Sequence, residues 1–437
     1  MKKSLIALAA LAATGAFAQS SVTLSGNLDF AGASVGGSQL WAKGSTVSTT
    51  VGTASTSVIN IRAVEDLGAG MKVTAHYGLD PRSLVNDSYA VTNNTGVATN
   101  SGSQACSAAS AALAATSSAA CVTGTVAGQS NTATGFARDE AFVGIEGAFG
   151  NVRLGAPNSI GLNSFQVSSP LGTGIGSGYT GAGTASTFTN SYTQTRYNRA
   201  VRWDSPVVAG FQAAVQYAPG NDQAATVTTA TTSAATGAVT PAVPVVNMIP
   251  NARKATEIGL RYDNGPLSVS YANIAQAEQT ALTGWYVTGS STAGKKTSMN
   301  VLNASYVLGN TKLTAGWNDG DRLAVLGGAV TATAKDATKS KGYRVAAQQT
   351  MGDIVLIAQY STQEALGITS ITSGLSTNSA TALKASVTGF RADYNLSKTA
   401  ALYMGYEKYD TGIAYNSQTP TTTGTRDIVS VGLKKQF

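Results

Sequence analysis

The sequence predicts an all-β fold: sixteen antiparallel strands closed into a transmembrane β-barrel, with short turns on one rim and long loops on the other. Three observations carry that expectation. Seven pairs of short alternating runs are each joined by a tight turn; long polar connections separate these units; and the apolar residues, though abundant, are scattered in period two. Seven hairpins plus one strand at each end give an even count of sixteen.

The first eighteen residues differ in character. Lys2 and Lys3 precede an apolar run from Leu5 to Phe17, and Ala16-Phe17-Ala18 has the small-x-small form of an export cleavage site. A membrane anchor needs about twenty apolar residues. Residues 1–18 therefore read as a cleaved signal peptide and residues 19–437 as one barrel domain. No later stretch is long and apolar enough for a spanning helix, which excludes a helical membrane protein. Only 12% of residues are charged and 43% are hydrophobic, whereas soluble domains carry about 25% charged residues. Loss of Lys2 and Lys3 lowers the formal net charge of +7 by two. The excess that remains is too small and dispersed for a nucleic-acid footprint, so no nucleic-acid partner is expected.

The strands are expected at Val22–Ala33, Thr56–Val64, Gly70–Asp80, Phe136–Gly147, Gly150–Pro157, Arg196–Asp204, Gly210–Ala218 and Lys254–Asp263. They continue at Pro266–Ile274, Ser298–Val307, Thr311–Asn318, Gly342–Gln349, Asp353–Thr362, Ser386–Tyr394, Ala400–Tyr409 and Asp427–Phe437. The tight turns between them read VEDLGAG, EGAFGN, DSPVVAG, DNGP, LGNT, TMGD and NLSKT, rich in the residues that turns demand. Within the runs, Val201 and Trp203 alternate with Arg202 and Asp204, and Phe211, Ala213, Val215 and Tyr217 alternate with Gln212, Ala214 and Gln216. The polar set is too large and too charged to fill a core. The apolar face must then point outward and the polar face inward.

Aromatics punctuate the outward face in two rows. Trp203, Phe211, Tyr262, Tyr306, Tyr394 and Phe437 lie near the turns; Tyr217, Tyr271, Trp317 and Tyr360 lie toward the loops. Amphipathic rings at both membrane–water boundaries form the girdles of such a barrel. The long connections are Ser34–Ser55, Pro81–Gly135, Asn158–Thr195, Pro219–Arg253, Ala275–Thr297, Asp319–Lys341, Gln363–Ala385 and Asp410–Arg426, rich in Thr, Ser, Ala and Gly. Cys106 and Cys121 both fall in the second of these. An exported chain meets an oxidising compartment, so a disulfide between them is expected, with two free thiols as the alternative.

Strand alternation turns one set of charges inward: Arg62, Lys72, Arg138, Arg153, Arg196, Arg202, Arg261 and Arg344, with Glu140, Glu146, Asp204, Glu257, Asp393 and Glu407 opposing them. Charges lining a narrow pore select ions of opposite sign. Arg62, Arg153 and Arg202 are the leading candidates, because they sit in the first half of the barrel, where the third loop emerges; Arg138, Lys72 and Glu146 complete the candidate pore lining. That loop, Asn158–Thr195, contains no charged residue. His76, the only histidine, reads as a wetted lumen residue, since no local motif supplies a nucleophile or an orienting acid. Gly172–Gly178 (GTGIGSG) lacks the G-x-G-x-x-G spacing of a dinucleotide cradle and reads as loop. No metal or cofactor is expected.

Several of these pieces also carry a resemblance. SSVTLSGNLDFA, INIRAVEDLGAGMKVTAHY, RDEAFVGIEGAFGNVRLG, AVRWDSPVVAGFQAAVQY, FRADYNLSKTAALYMGYEKY and VSVGLKKQF resemble general porins of the β-proteobacterial type through nearly all strands and short turns, and not in the long loops. The resemblance implies a homotrimer of sixteen-stranded barrels in the outer membrane, each with its own water-filled pore, in contact with lipid and lipopolysaccharide. It implies an inward-folded third loop, arginines at the constriction, and recognition of the terminal Phe437 by the barrel-assembly machinery. Two family arginines are replaced: Val58 stands in Ser57-Val58-Ile59-Asn60-Ile61-Arg62 before EDLG, and Ala156 follows Leu154-Gly155.

The function expected is passive diffusion of small hydrophilic solutes and ions with a mild anion preference. A barrel-scaffolded surface adhesin is the alternative, to which the long Pro81–Gly135 loop lends support. An outer-membrane enzyme is the weakest reading, because one histidine allows at most one site.

Overall fold

The computed structural model describes residues 20–36, 48–53, 57–79, 139–177, 196–197, 199–219, 221–228, 244–252, 254–277, 296–322, 338–366, 382–411 and 424–437. It also describes residue 55 and the short segments 231–232, 239–240, 371–373, 376–378, 414–415 and 420–421. The leader, Cys106, Cys121 and Arg138 lie outside the described residues.

One antiparallel sheet contains seventeen strand segments. Two of them, Ser48–Thr53 and Val58–Gly68, pair in succession along the first strand, Ser21–Gly36, and count as one interrupted strand, which leaves the sixteen expected. We number them β1 (Ser21–Gly36), β2 (the two segments just named), β3 (Met71–Leu79), β4 (Ala141–Gly147), β5 (Gly150–Ala156), β6 (Ala200–Asp204), β7 (Phe211–Ala218) and β8 (Ala255–Asn264). The second half comprises β9 (Leu267–Ala277), β10 (Lys296–Leu308), β11 (Thr311–Arg322), β12 (Thr338–Met351), β13 (Ile354–Leu366), β14 (Ala382–Ser397), β15 (Ala400–Thr411) and β16 (Gly424–Gln436). Each strand pairs with its sequence neighbours, and β1 closes on β16 from Asn27↔Gln436 to Gly36↔Asp427. Closure leaves no edge of unpaired backbone to face lipid, which is why only a closed sheet can cross a bilayer.

Alternation places side chains as expected. Along β6, Ala200, Arg202 and Asp204 are buried inside while Val201 and Trp203 are exposed outside. Every ring of the two predicted aromatic rows lies on the outward face, Phe211 packed on Tyr262 with ring centroids 4.4 Å apart. Tyr77, Tyr343 and Phe390 join them, exposed on the same face.

Three strand expectations and one long connection need correction. The strand expected over Arg196–Asp204 begins only at Ala200; Arg196 makes an isolated bridge to Asn158, and Arg199 has φ +60°, which breaks the extended run. The strand expected over Phe136–Gly147 is seen over Ala141–Gly147. The strand expected over Thr56–Val64 is the interrupted β2. Pairing jumps from Phe30↔Thr53 to Asn27↔Val58, so more residues stand on β2 than on β1. Asp29 N–H, left without a strand partner there, donates to Ser57 Oγ at 3.0 Å. Lastly, the connection Pro219–Arg253 carries its own hairpin, Asn221–Thr228 paired with Pro244–Ala252.

A short helix, α1 (Ile160–Ser168), follows β5, and the sequence reading did not anticipate it. Ser159 caps it, its hydroxyl accepting from Leu162 N–H at 3.0 Å. The helix is buried almost all round because it lies inside the barrel against β8–β11. Ile160 packs there with Ala214, Ala272, Ile274, Met299 and Val301. These wall residues face inward and are apolar, a local reversal of the polar-inside pattern. The reversal is physical: a wall patch covered by the helix is dry, and a polar side chain there would lose its water.

Candidate functional site

The segment after β5 narrows the barrel, and its anchoring can be followed residue by residue. At its start, Glu257 on β8 is fully buried and accepts from Gly161 N–H at 2.9 Å and from Tyr197 O–H at 2.6 Å. An ionised carboxylate at the first turn of a helix also answers the positive end of the helix dipole. Ser168 bonds Asn303 of β10 at 2.6 Å, and Thr314 of β11 donates to Ser168 C=O at 2.8 Å. Past the helix the chain runs through turns Pro170–Ser177, so the glycine-rich stretch is loop as expected. Glu407 on β15, also fully buried, accepts from Gly176 N–H at 2.5 Å. Arg344 on β12 donates to Ser177 C=O at 2.9 Å and lays its guanidinium 4.0 Å from the centre of the Phe165 ring. Gln359 on β13 donates to the same carbonyl at 2.7 Å.

This seating requires glycine on both sides. Gly176 has φ +88°, and a Cβ there would stand 2.9 Å from the Cα of Gly389. The loop backbone thus presses directly on the wall backbone. A second close seat lies nearby: the Tyr403 ring of β15 covers Gly432 of β16 and donates its hydroxyl to Asp29 of β1.

Over residues 158–177 the loop hugs β8 to β15 and, at its base, Arg202 of β6; this described part leaves the wall of β2 to β5 uncovered. Arg62 is exposed there, opposite His76 in the β2–β3 register. His76 Nε2 lies 3.2 Å from Asn60 Oδ1, and its ring stacks on inward-facing Phe142 with centroids 5.3 Å apart. Arg153 sits over the Phe142 ring, 5.4 Å from its centre, and pairs with Asp204 and, at 4.0 Å, with Glu140. Arg196 pairs with Asp139. Arg202 is buried, pairs with Asp204 at 2.7 Å and donates to Asn158 C=O at 2.7 Å. It therefore holds the base of the loop as much as it faces the pore.

Other predicted residues lie elsewhere. Lys72 and Glu146 stand opposite one another in the β3–β4 register, near the short-turn rim. Arg261 pairs with Asp263 at 2.6 Å, exposed at the same rim. The sequence reading missed Arg391, which pairs with Asp393 at 2.5 Å and stacks on Tyr403 at 3.8 Å, and it missed fully buried Asp29. The signal for Arg391 was present, since alternation already turned Asp393 inward. A local pattern recurs: Arg202–Asp204, Arg261–Asp263 and Arg391–Asp393 each pair a base with the acid two residues on, the spacing that shares one strand face.

A closed wall, apolar outside and polar within, narrowed by a segment folded into its lumen, defines a channel-forming barrel of a membrane. The chain belongs to the Gram-negative porin family, whose profile matches residues 4–414, and its place is the outer membrane. It is 36% identical over 88 residues to the major outer membrane protein P.IB of Neisseria gonorrhoeae, a match spanning 20% of this chain and only 23% of that protein. Its fold is similar to that of an anion-selective porin from Comamonas acidovorans, with TM-score 0.59 and 20% identity over 96% of this chain and 100% of that one. It is also similar to the outer membrane channel DcaP of Acinetobacter baumannii, with TM-score 0.56 and 13% identity over 97% and 99% of the two chains.

Proposed function

We propose that the protein is a passive diffusion channel for small hydrophilic solutes and ions, with a mild preference for anions, and not an enzyme. One observation carries the ion preference. The wall from β2 to β6 and the chain flanking it gather Arg62, Arg153, Arg196 and Arg202 against Asp139, Glu140 and Asp204, four bases to three acids with Arg202 and Asp204 buried as a pair, and the loop opposite contributes no charge. Arg62 is the base for which no ion pair exists among the described residues. A single uncompensated charge in a narrow passage biases the local ion population without closing the pore to the other sign. Arg138, Lys72 and Glu146 belong to the wider lining under this reading.

A homotrimer fits the outer surface. Ile61, Ala63, Ala75, Val143 and Leu154 surround an apolar depression of about 470 Å³ on the outside of β2–β5. Aromatic girdle residues, dense from β6 onward, are sparse there. An apolar depression with Tyr77 as its one outward ring suits contact with a second copy better than contact with lipid headgroups. Cleavage after Ala18, a Cys106–Cys121 bridge, contact with lipopolysaccharide and recognition of Phe437 by the assembly machinery complete the proposal.

Reconstitution of the mature protein in planar bilayers tests it. We expect ohmic channels whose zero-current potential in a salt gradient has the anion-selective sign, with a preference that fades as salt is added, since the screening length is roughly 8 Å at physiological ionic strength. Cation selectivity at low salt would refute the ion preference. A folded protein that never conducts would favour the adhesin reading.

A further inference from the structure

The turn Pro170–Thr173 does not lie flat on the wall everywhere. Between it and the seam of β1, β14 and β16 is a cavity of about 230 Å³, lined by Asp29, Arg391, Asp393 and Lys434 among others. At roughly 30 Å³ per water molecule it holds about seven waters, enough for a solute the size of an α-amino acid.

The charges of this cavity balance, two bases against two acids, yet their hydrogen bonds do not use up every group. Arg391 gives its Nε to Asp393 Oδ1 at 2.5 Å, while its Nη2 is buried with no hydrogen-bond partner among the described residues. The side chain is 8% exposed, and the Tyr403 ring beneath fixes its plane. Lys434 faces inward beside it and forms no ion pair among the described residues. Both oxygens of Asp29 are already engaged, one by Tyr403 O–H and the other by Ser55 O–H. Asp393 has Oδ2 still available. The cavity thus offers unused donors on two cations and an unused acceptor on one anion, within walls whose net charge is zero.

A plain anion meets repulsion from Asp393 and Asp29 there, and a plain cation meets repulsion from Arg391 and Lys434. A molecule with a carboxylate at one end and an ammonium at the other satisfies both sets. We propose that this cavity is a stopover site for small zwitterions of the α-amino-acid class on their way through the pore. The carboxylate is taken by Lys434 and the cavity-lining edge of the Arg391 guanidinium, and the ammonium by Asp393. The proposal rests on the channel reading above and deepens it by naming a solute class.

The test uses the full mature protein in planar bilayers at low salt, with three probes of one carbon skeleton: L-alanine, propionate and propylamine. We expect L-alanine to reduce the unitary current in a saturable way, half-maximally at a concentration about tenfold below that of either single-charge probe. That factor is about what one charge-assisted hydrogen bond contributes. Asp393→Asn and Arg391→Gln should each raise the half-blocking concentration of L-alanine about tenfold. Because that buried pair also supports the wall, Lys434→Gln at a half-exposed position provides a variant that leaves the pair intact, with a smaller shift in the same direction. Block by propionate equal to that by L-alanine would overturn the proposal in favour of a plain anion site. Open channels with no saturable block by L-alanine would overturn it outright. If no current flows at all, the channel reading fails instead. Equilibrium binding of isotopically labelled L-alanine to the detergent-solubilised protein then still decides whether the site exists.

Discussion

The two sides of this barrel spend the same residue types differently. On β8 to β15 three inward charges are covered: Glu257 and Glu407 accept loop N–H groups, and Arg344 donates to a loop carbonyl. On β2 to β6 and the chain flanking them the charges pair among themselves, as Arg153–Asp204 and Arg196–Asp139, with exposed Arg62 left over. A buried ion without a partner is very costly, so the covered charges are committed to structure. An exposed one costs little and acts on passing ions. Counting inward charges by strand parity treats the two walls alike, and the loop is what separates them.

The largest effect should come from undoing that separation. Phe165 is fully buried between α1 and the Arg344 guanidinium. Phe165→Ala should remove roughly 3–5 kcal/mol of packing from the docked loop. The barrel should still form, with a higher unitary conductance and frequent closures, readable in single-channel traces. Unchanged conductance would show that the loop does not set the constriction. A smaller effect is expected on the open wall. Arg62→Ala removes the uncompensated charge, and one charge about 8 Å from a permeating ion in water is worth roughly 0.5 kcal/mol. The anion-to-cation permeability ratio should fall about twofold at low salt, moving the zero-current potential toward the cation side with the barrel intact. The smallest effect belongs to the rim: Arg261→Ala breaks an exposed pair with Asp263 that contributes less than about 1 kcal/mol, and selectivity should not move. A shift as large as that of Arg62→Ala would mean that the rim, and not the open wall, controls the ions.

How much of this the sequence revealed depends on the range of the interaction. Strand existence and facing are local properties: Val201 and Trp203 outside, Arg202 and Asp204 inside, follow from a two-residue period. The interrupted β2 is not local, because it depends on Asp29 of β1 and the hydroxyl of Ser57 finding one another across the wall. The helix α1 had a legible start in Ser159, but its buried apolar residues made sense only with the dry patch of Ala272, Ile274, Met299 and Val301 beneath it. Those four positions broke the polar-inside rule on their own strands, and that exception was the readable trace of a covering segment. Arg391 was within reach of parity. Asp29 was missed altogether, and nothing nearby in sequence announced Tyr403 as its partner.

The pairs Arg202–Asp204, Arg261–Asp263 and Arg391–Asp393 have one more consequence, for assembly. Each of these strands carries a counter-ion for its own arginine, so that pair is balanced before the strand meets a neighbour. Bringing isolated charges to a bilayer is expensive, and pairs formed within one strand avoid part of that cost while the wall is still incomplete. The same self-pairing means that a neighbour arriving out of register leaves these pairs intact, and they do not punish the error. Alignment must then be enforced by shape, through seats such as the Tyr403 ring over Gly432, where a slip of one residue would drive an aromatic ring into a side chain instead of a hollow.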